Sequence, residues 1–329
     1  MVDARRAIVR EFGRASGVVK METVSLPPLD DDKVRIRLTA RSINPSDLIT
    51  ISGAYPSRTS LPFVPGFEAA GIVEDIGAAV RNIKCGMRVL PVGTAGGWQD
   101  FKDTTPDWCL PLPDALSDEQ AACSYVNPMT AWLMMTEVAG LKPGDRIAIT
   151  AAGSAIGRML VAIANARGIR PFALVRSSEA EAGLSGLDAV VLRGQHDRSA
   201  AMMLLEHSGP KSLNTIFDCV GGPEAQALAA CLKPAGQFIH YGLLSGQPIP
   251  AEAWNDHPDM RFHLFHLRQW VHTAPRERLH AAYAEVTSLI ASGRLTTAVR
   301  SRHGLANISA ALADAETLSA CGKVLLIDR

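Results

Sequence analysis

Between Arg146 and Arg176 the chain spells a strand, a turn of small residues, an amphipathic helix and a second strand. The turn-like Lys142-Pro143-Gly144-Asp145 leads into the apolar Ile147-Ala148-Ile149. Ala151-Ala152-Gly153-Ser154-Ala155-Ile156-Gly157 follows, and Ile156, Met159, Leu160 and Ile163 then recur at helical spacing. Gly168 supplies a helix stop before the apolar run Phe172 to Val175. Few folds accept that order. It is a βαβ unit, and its first turn is where a dinucleotide pyrophosphate meets a helix N-terminus.

The turn alone leaves two readings open. In a G-x-G-x-x-G register ending at Gly157, the first two glycines are replaced by Ala152 and Ser154. Small residues at a strand–helix turn serve close packing as readily as phosphate binding. In the second reading, Gly153, Ser154, Ala155 and Ile156 meet the pyrophosphate. The end of the second strand bears on the choice of ligand. A site that grips an adenosine ribose as a diol places Asp or Glu about 20 residues on. Here the strand runs into Arg176-Ser177-Ser178, a cation and two hydroxyls suited to a 2′-phosphate. That predicts NADPH as cofactor rather than NADH.

Composition excludes several classes. Lys plus Arg equals Asp plus Glu at 33 each, so no net field steers nucleic acid or an anionic membrane. The longest apolar runs fall far short of a bilayer span, and Met1-Val2-Asp3-Ala4-Arg5-Arg6 has no apolar stretch behind it. The expectation is a cytoplasmic protein. The six cysteines (Cys85, Cys109, Cys123, Cys219, Cys231, Cys321) include no C-x-x-C pair and read as reduced thiols in or near the core. With 329 residues the chain can bury two cores.

Up to about residue 118 the chain reads as β-rich, with Ala7 to Val9, Val34 to Leu38 and Gly71 to Ile76 separated by proline-bearing loops. A helical stretch from Asp118 to Gly140 precedes the βαβ unit. Strands then alternate with helices as far as Gln237 to Tyr241, the pattern of a doubly wound parallel α/β sheet. A helix over Leu279 to Ile290 and the apolar run Val324 to Ile327 complete the chain.

Seven stretches occur in an order that resembles the medium-chain dehydrogenase/reductases. They are Asn44-Pro45-Ser46-Asp47, Gly53-Ala54-Tyr55-Pro56, Pro65-Gly66-Phe67-Glu68, Asn127-Pro128-Met129-Thr130-Ala131-Trp132, Leu141-Lys142-Pro143-Gly144-Asp145, Ala152 to Gly157, and Tyr241-Gly242. Within that superfamily the chain is most similar to the zinc-free 2-enoyl thioester reductases and quinone oxidoreductases. The resemblance implies a GroES-like β-barrel catalytic domain over 1–119, a Rossmann NADP-binding domain over 120–290, and a C-terminal return over 291–329. It also implies a homodimer, joined along the sheet edge near Phe262 to Val271.

The zinc-dependent relatives hold their metal with Cys, His and carboxylate ligands. Here the cysteine position falls within Ile43 to Asp47, which has no thiol, and the histidine of Gly-His-Glu is Phe67. No metal is expected. His263 and His266 have a spacing that permits a metal pair, but no third ligand accompanies them. Hydride transfer without a metal suits a double bond conjugated to a carbonyl, where something must donate to the developing enolate oxygen or protonate the α-carbon. Tyr55 matches the catalytic tyrosine of the 2-enoyl thioester reductases; otherwise it is a loop residue capping the barrel.

The resemblance further places Asn44 under the nicotinamide ribose and Asn127 and Thr130 beside the nicotinamide. It adds Tyr241, Gly242, Leu243, Trp270 and Lys323 along the cofactor. Residue by residue, Asn44 is also a plain turn starter, Asp47 a capping residue, and Asn127 and Thr130 N-caps. Trp98 either lines an acyl pocket or fills an interdomain cleft. The reading is an NADPH-dependent reductase of enoyl thioesters, with a quinone or 2-alkenal as the alternative small-molecule substrate. An inactive binding protein resembling the lens crystallins of this superfamily is the remaining alternative.

Overall fold

The structure is a computed structural model that describes residues 3–54, 56–192, 199–317 and 322–328. The chain divides into two compact units, Asn127–Leu267 and Met1–Val126 with Arg268–Arg329. The division falls differently from the expected boundaries. Helix Arg276–Ala291 groups with the barrel, where the buried Tyr283 hydroxyl lies 2.6 Å from that of Ser124.

The unit Asn127–Leu267 holds one six-stranded parallel sheet. Its strands are Ile147–Ile149, Phe172–Val175, Ala189–Leu192, Leu213–Asp218, Leu232–His240 and Arg261–Leu264. Numbered as the chain visits them, they lie in the order third, second, first, fourth, fifth, sixth. The order reverses between the first and fourth strands, the point where doubly wound sheets open a crevice for ligands. Helix Ala155–Ala166 buries Met159, Leu160 and Ile163, the stripe the sequence displays. Phe172, Leu174, Ile216 and Phe238 pack with Leu204 and Leu228 in one apolar core. Arg261–Leu264 forms one edge of the sheet, and Leu264 is exposed there.

The other unit is built on a seven-stranded sheet whose centre is the long strand Val34–Ile43. That strand pairs antiparallel with Ala69–Ile76, Phe101–Thr104 and the C-terminal Lys323–Ile327. One core contains Val34, Ile36, Leu38, Val73 and Val89. A second gathers Val9, Ile51, Trp98, Leu312 and Leu326, and so ties the chain's end to its beginning. Trp98 is fully buried, with its indole N–H donating to Ser42 O at 3.1 Å. It therefore fills the barrel's own core and lines no acyl pocket. Gly66 backs onto it, because a Cβ there would sit 2.5 Å from Trp98 Cδ1.

Cys109, Cys123, Cys219 and Cys231 are buried free thiols, whereas Cys85 is exposed; Cys321 lies outside the described residues. Burial pushes Cys109, Cys123 and Cys219 up to about 12 and Cys231 up to about 11, so none of these four is a ready nucleophile. Among the described residues no helix is long and apolar enough to cross a membrane.

Candidate functional site

In the parallel unit the first strand leads through Thr150 into Ala151, whose φ of 48° turns the chain toward the helix. Ser154 caps that helix by accepting the Gly157 N–H at 3.1 Å. Both glycines are required by packing. A Cβ at Gly157 would lie 2.5 Å from Ala151 O, and one at Gly153 would lie 2.4 Å from Ala180 O. Ala155 and Ile156 are the first two helical residues, so their N–H groups have no intrahelical acceptor, and both residues are partly exposed. The turn thus packs closely and also presents the positive end of a twelve-residue helix, as an anion requires.

Arg158 joins this turn to the loop after the second strand. Its guanidinium donates to Gly153 O at 3.0 Å, Ala180 O at 3.0 Å and Ala182 O at 2.7 Å. Arg176 is exposed at the start of that loop, and Ser177 caps the short helix Ser178–Glu181 by accepting the Ala180 N–H. Ser178 is exposed in the same turn. Glu179 follows at once, in the first turn of that helix. Sequence reading missed Arg158, which has nothing but its place one residue after the glycine turn to mark it.

Beneath the ends of the first, fourth and fifth strands lies a network that no motif announces. The fully buried Asp218 accepts from Thr150 Oγ1 at 2.8 Å, Val220 N at 3.1 Å and Gly221 N at 2.9 Å. His240 Nδ1 completes it at 2.8 Å from Asp218 Oδ2. Tyr241 follows, its backbone N–H donating to Asp218 O at 2.9 Å and its phenol pushed well above the usual tyrosine range by burial. A Cβ at Gly242 would meet Cys219 Cβ at 3.0 Å, and Leu243 is exposed beyond it. Asn127 and Thr130 lie within helix Val126–Leu133, at its second and fifth positions; neither is an N-cap. Thr130 is buried and Asn127 half-buried.

In the barrel unit Asn44 is fully buried at the head of helix Pro45–Ile51. Its side-chain amide donates to Ser42 Oγ at 2.9 Å and to Glu68 Oε2 at 3.0 Å. Its carbonyl oxygen accepts from Lys323 Nζ, and Lys323 is itself buried at the start of the last strand. Glu68 also accepts from Ser42 Oγ at 2.7 Å and from the backbone N–H groups of Tyr125 and Val126 at 2.6 and 3.1 Å. Asp47 accepts from Asn44 N at 2.8 Å and Phe67 N at 2.9 Å. Desolvation raises its carboxyl to about 7, against the lowering effect of those two bonds. Asn44 and Asp47 are more than turn residues, because their side chains fix Glu68 and the loop at Phe67. Trp270 is half-buried within helix Leu267–Thr273. Tyr55 lies outside the described residues. Among the described residues no three His, Cys, Asp or Glu side chains gather as a metal site.

Comparison with known proteins bears on the whole chain. Residues 30–114 match the alcohol dehydrogenase GroES-like domain family, and residues 185–326 match the zinc-binding dehydrogenase family. The mitochondrial enoyl-[acyl-carrier-protein] reductase of Xenopus tropicalis is 29% identical over 98% of this chain and 95% of its own. A candidate NADPH:quinone reductase from Bacillus thuringiensis is 32% identical, with a TM-score of 0.93 over all of both chains. The Escherichia coli quinone oxidoreductase, solved with NADPH, is 26% identical, with a TM-score of 0.86 over 98% of this chain and 100% of its own.

The Asp47 carboxyl should give the fold a pH signature. Its folded-state pKa is raised, so its contribution to stability is full below the unfolded value of 3.8 and is lost as pH rises through about 7. Asp47→Asn removes the titration. The stability difference, wild type minus variant, should fall by up to about 1.4 kcal/mol per pH unit between about pH 4 and 7, then level off. Urea unfolding at stepped pH measures this, and a difference that stays constant with pH would show that Asp47 titrates normally.

Proposed function

The chain belongs to the medium-chain dehydrogenase/reductase superfamily, in the branch of enoyl thioester reductases and quinone oxidoreductases, and we propose that it is an NADPH-dependent reductase of 2-enoyl thioesters. The observation that carries the reading is the turn at Gly153 to Gly157, where close packing and a capped helix N-terminus meet at the reversal point of the parallel sheet. Ala155 and Ile156 amides would hold the pyrophosphate there. Arg176, Ser177 and Ser178 would hold the 2′-phosphate. Asn44, Asn127, Thr130, Tyr241, Gly242, Leu243, Trp270 and Lys323 are the further candidates along the cofactor. Lys323 and Glu68 also fix Asn44, since both bond to that side chain.

When bound, reduced nicotinamide supplies the hydride that adds to the substrate's β-carbon. The chain's task is the charge that appears on the thioester oxygen and the proton the α-carbon needs. Tyr55 is the group proposed for both: its O–H donates to the oxygen as negative charge builds, or passes its proton to the α-carbon. The similarity to quinone oxidoreductases supports a second reading, in which a quinone takes the hydride and its own ring stabilises the resulting oxyanion. The edge strand Arg261–Leu264, with the exposed Leu264, supports a homodimer joined along that edge. Light scattering at micromolar concentration should give twice the chain mass, and a monomer would refute the pairing.

Two substitutions separate the readings. Arg176→Ala should raise the KM for NADPH about ten- to a hundredfold, the loss of one charge-assisted contact worth roughly 1.5–3 kcal/mol, and leave NADH nearly unchanged. Equal use of NADH and NADPH by the wild type would contradict the assignment. Tyr55→Phe should lower kcat on crotonyl-CoA by about 10²–10³ with NADPH affinity intact, and should affect a quinone far less. Full enoyl reductase activity in that variant would leave Tyr55 a structural cap and remove the main support for the thioester reading.

A further inference from the structure

A cleft of about 420 Å³ opens in the barrel unit, lined by Arg58, Lys102 and Arg268 together with Thr50 and Thr94. Among the described residues the only carboxylate on its wall is Asp103, and that is already held by Arg35 at 2.7 and 2.9 Å. Lys102 projects from strand Phe101–Thr104 and is 5% exposed. Its ammonium carries three N–H donors, of which the structure satisfies one, at 2.8 Å on Thr94 O. Among the described residues Lys102 has no ion-pair partner, and a buried cation is costly unless something supplies a counter-charge. Burial pulls the ammonium down to about 8, against a raising effect from Cys109. Arg58 and Arg268 are exposed at the cleft and add two forked donors.

We infer that this cleft is a phosphate-binding subsite for the coenzyme A part of a thioester substrate. Charge selects that source of phosphate. Carrier-bound phosphopantetheine presents one phosphodiester charge, whereas coenzyme A brings a diphosphate and a 3′-phosphomonoester to match three cations. The inference rests on the enoyl thioester reading and names which thioester that reading takes.

The test is calorimetric titration of the whole protein, saturated with NADP⁺ so that the dinucleotide turn is filled. Coenzyme A should bind more tightly than pantetheine. Lys102→Met, which keeps the side chain's length, should weaken coenzyme A about ten- to a hundredfold. Should that variant not fold, Arg58→Gln combined with Arg268→Gln changes exposed positions only and should weaken it similarly. Coenzyme A binding no tighter than pantetheine, or unchanged in the folded variants, overturns the subsite. Reduction of crotonyl-pantetheine by the wild type tests the parent reading separately. Turnover there without a coenzyme A preference would sink the subsite alone, and coenzyme A binding through Lys102 without turnover would sink the parent reading alone.

Discussion

The Glu68 carboxylate is the barrel unit's central constraint. It is buried and accepts from two side chains, Ser42 and Asn44, and from two backbone N–H groups, those of Tyr125 and Val126. A carboxylate so placed is tolerated because its lone pairs are used, and removing any partner would leave charge in a dry site. Through it the central strand, the Asn44 turn and the segment that leaves the unit at Val126 are fixed to one point. Lys323 extends the arrangement to the last strand through the other end of the Asn44 amide.

The parallel unit uses the same device independently. Asp218 sits under the reversal of the sheet and is satisfied by Thr150, His240 and two backbone N–H groups. The first, fourth and fifth strands thereby end at one anchored level, and the glycine turn rises from Thr150 at that level. In each unit a short sequence motif ends beside a buried acid that holds it, so neither motif depends on loop conformation alone.

What the sequence displayed was local. The βαβ unit, the helix after the Ala152 to Gly157 turn and the parallel sheet were readable because periodicity and turn residues act within a few residues. Asp218, His240 and Arg158 were not, because each acquires its meaning from partners 22 to 68 residues away that follow no period. Glu68 stood in a quoted motif, yet its role depends on Tyr125, 57 positions on. Trp98 could be read as a pocket wall or a cleft filler, and only partners distant in sequence, Val9, Ile51, Leu312 and Leu326 around it with Gly66 behind its ring, show that it fills the barrel's core. The helix read at Leu279 to Ile290 runs longer, over Arg276–Ala291, and its allegiance, which a buried hydroxyl pair at Ser124 and Tyr283 helps to fix, had no local signal.

The clasp made by Arg158 bears on how such a protein changes over generations. Its three bonds end on main-chain carbonyls, which every residue type supplies, so the side chains at 180 and 182 are free of that duty. Gly153 faces the Ala180 carbonyl as well, and no replacement at 180 would make room for a side chain there. Gly153 and Arg158 are therefore constrained by the main chain itself, while Arg176 and Ser178 lie exposed at the edge of the clasped loop. On the proposed reading, in which residues 176 to 178 meet the coenzyme, rewriting those positions would exchange one coenzyme for another and leave the scaffold that presents them untouched.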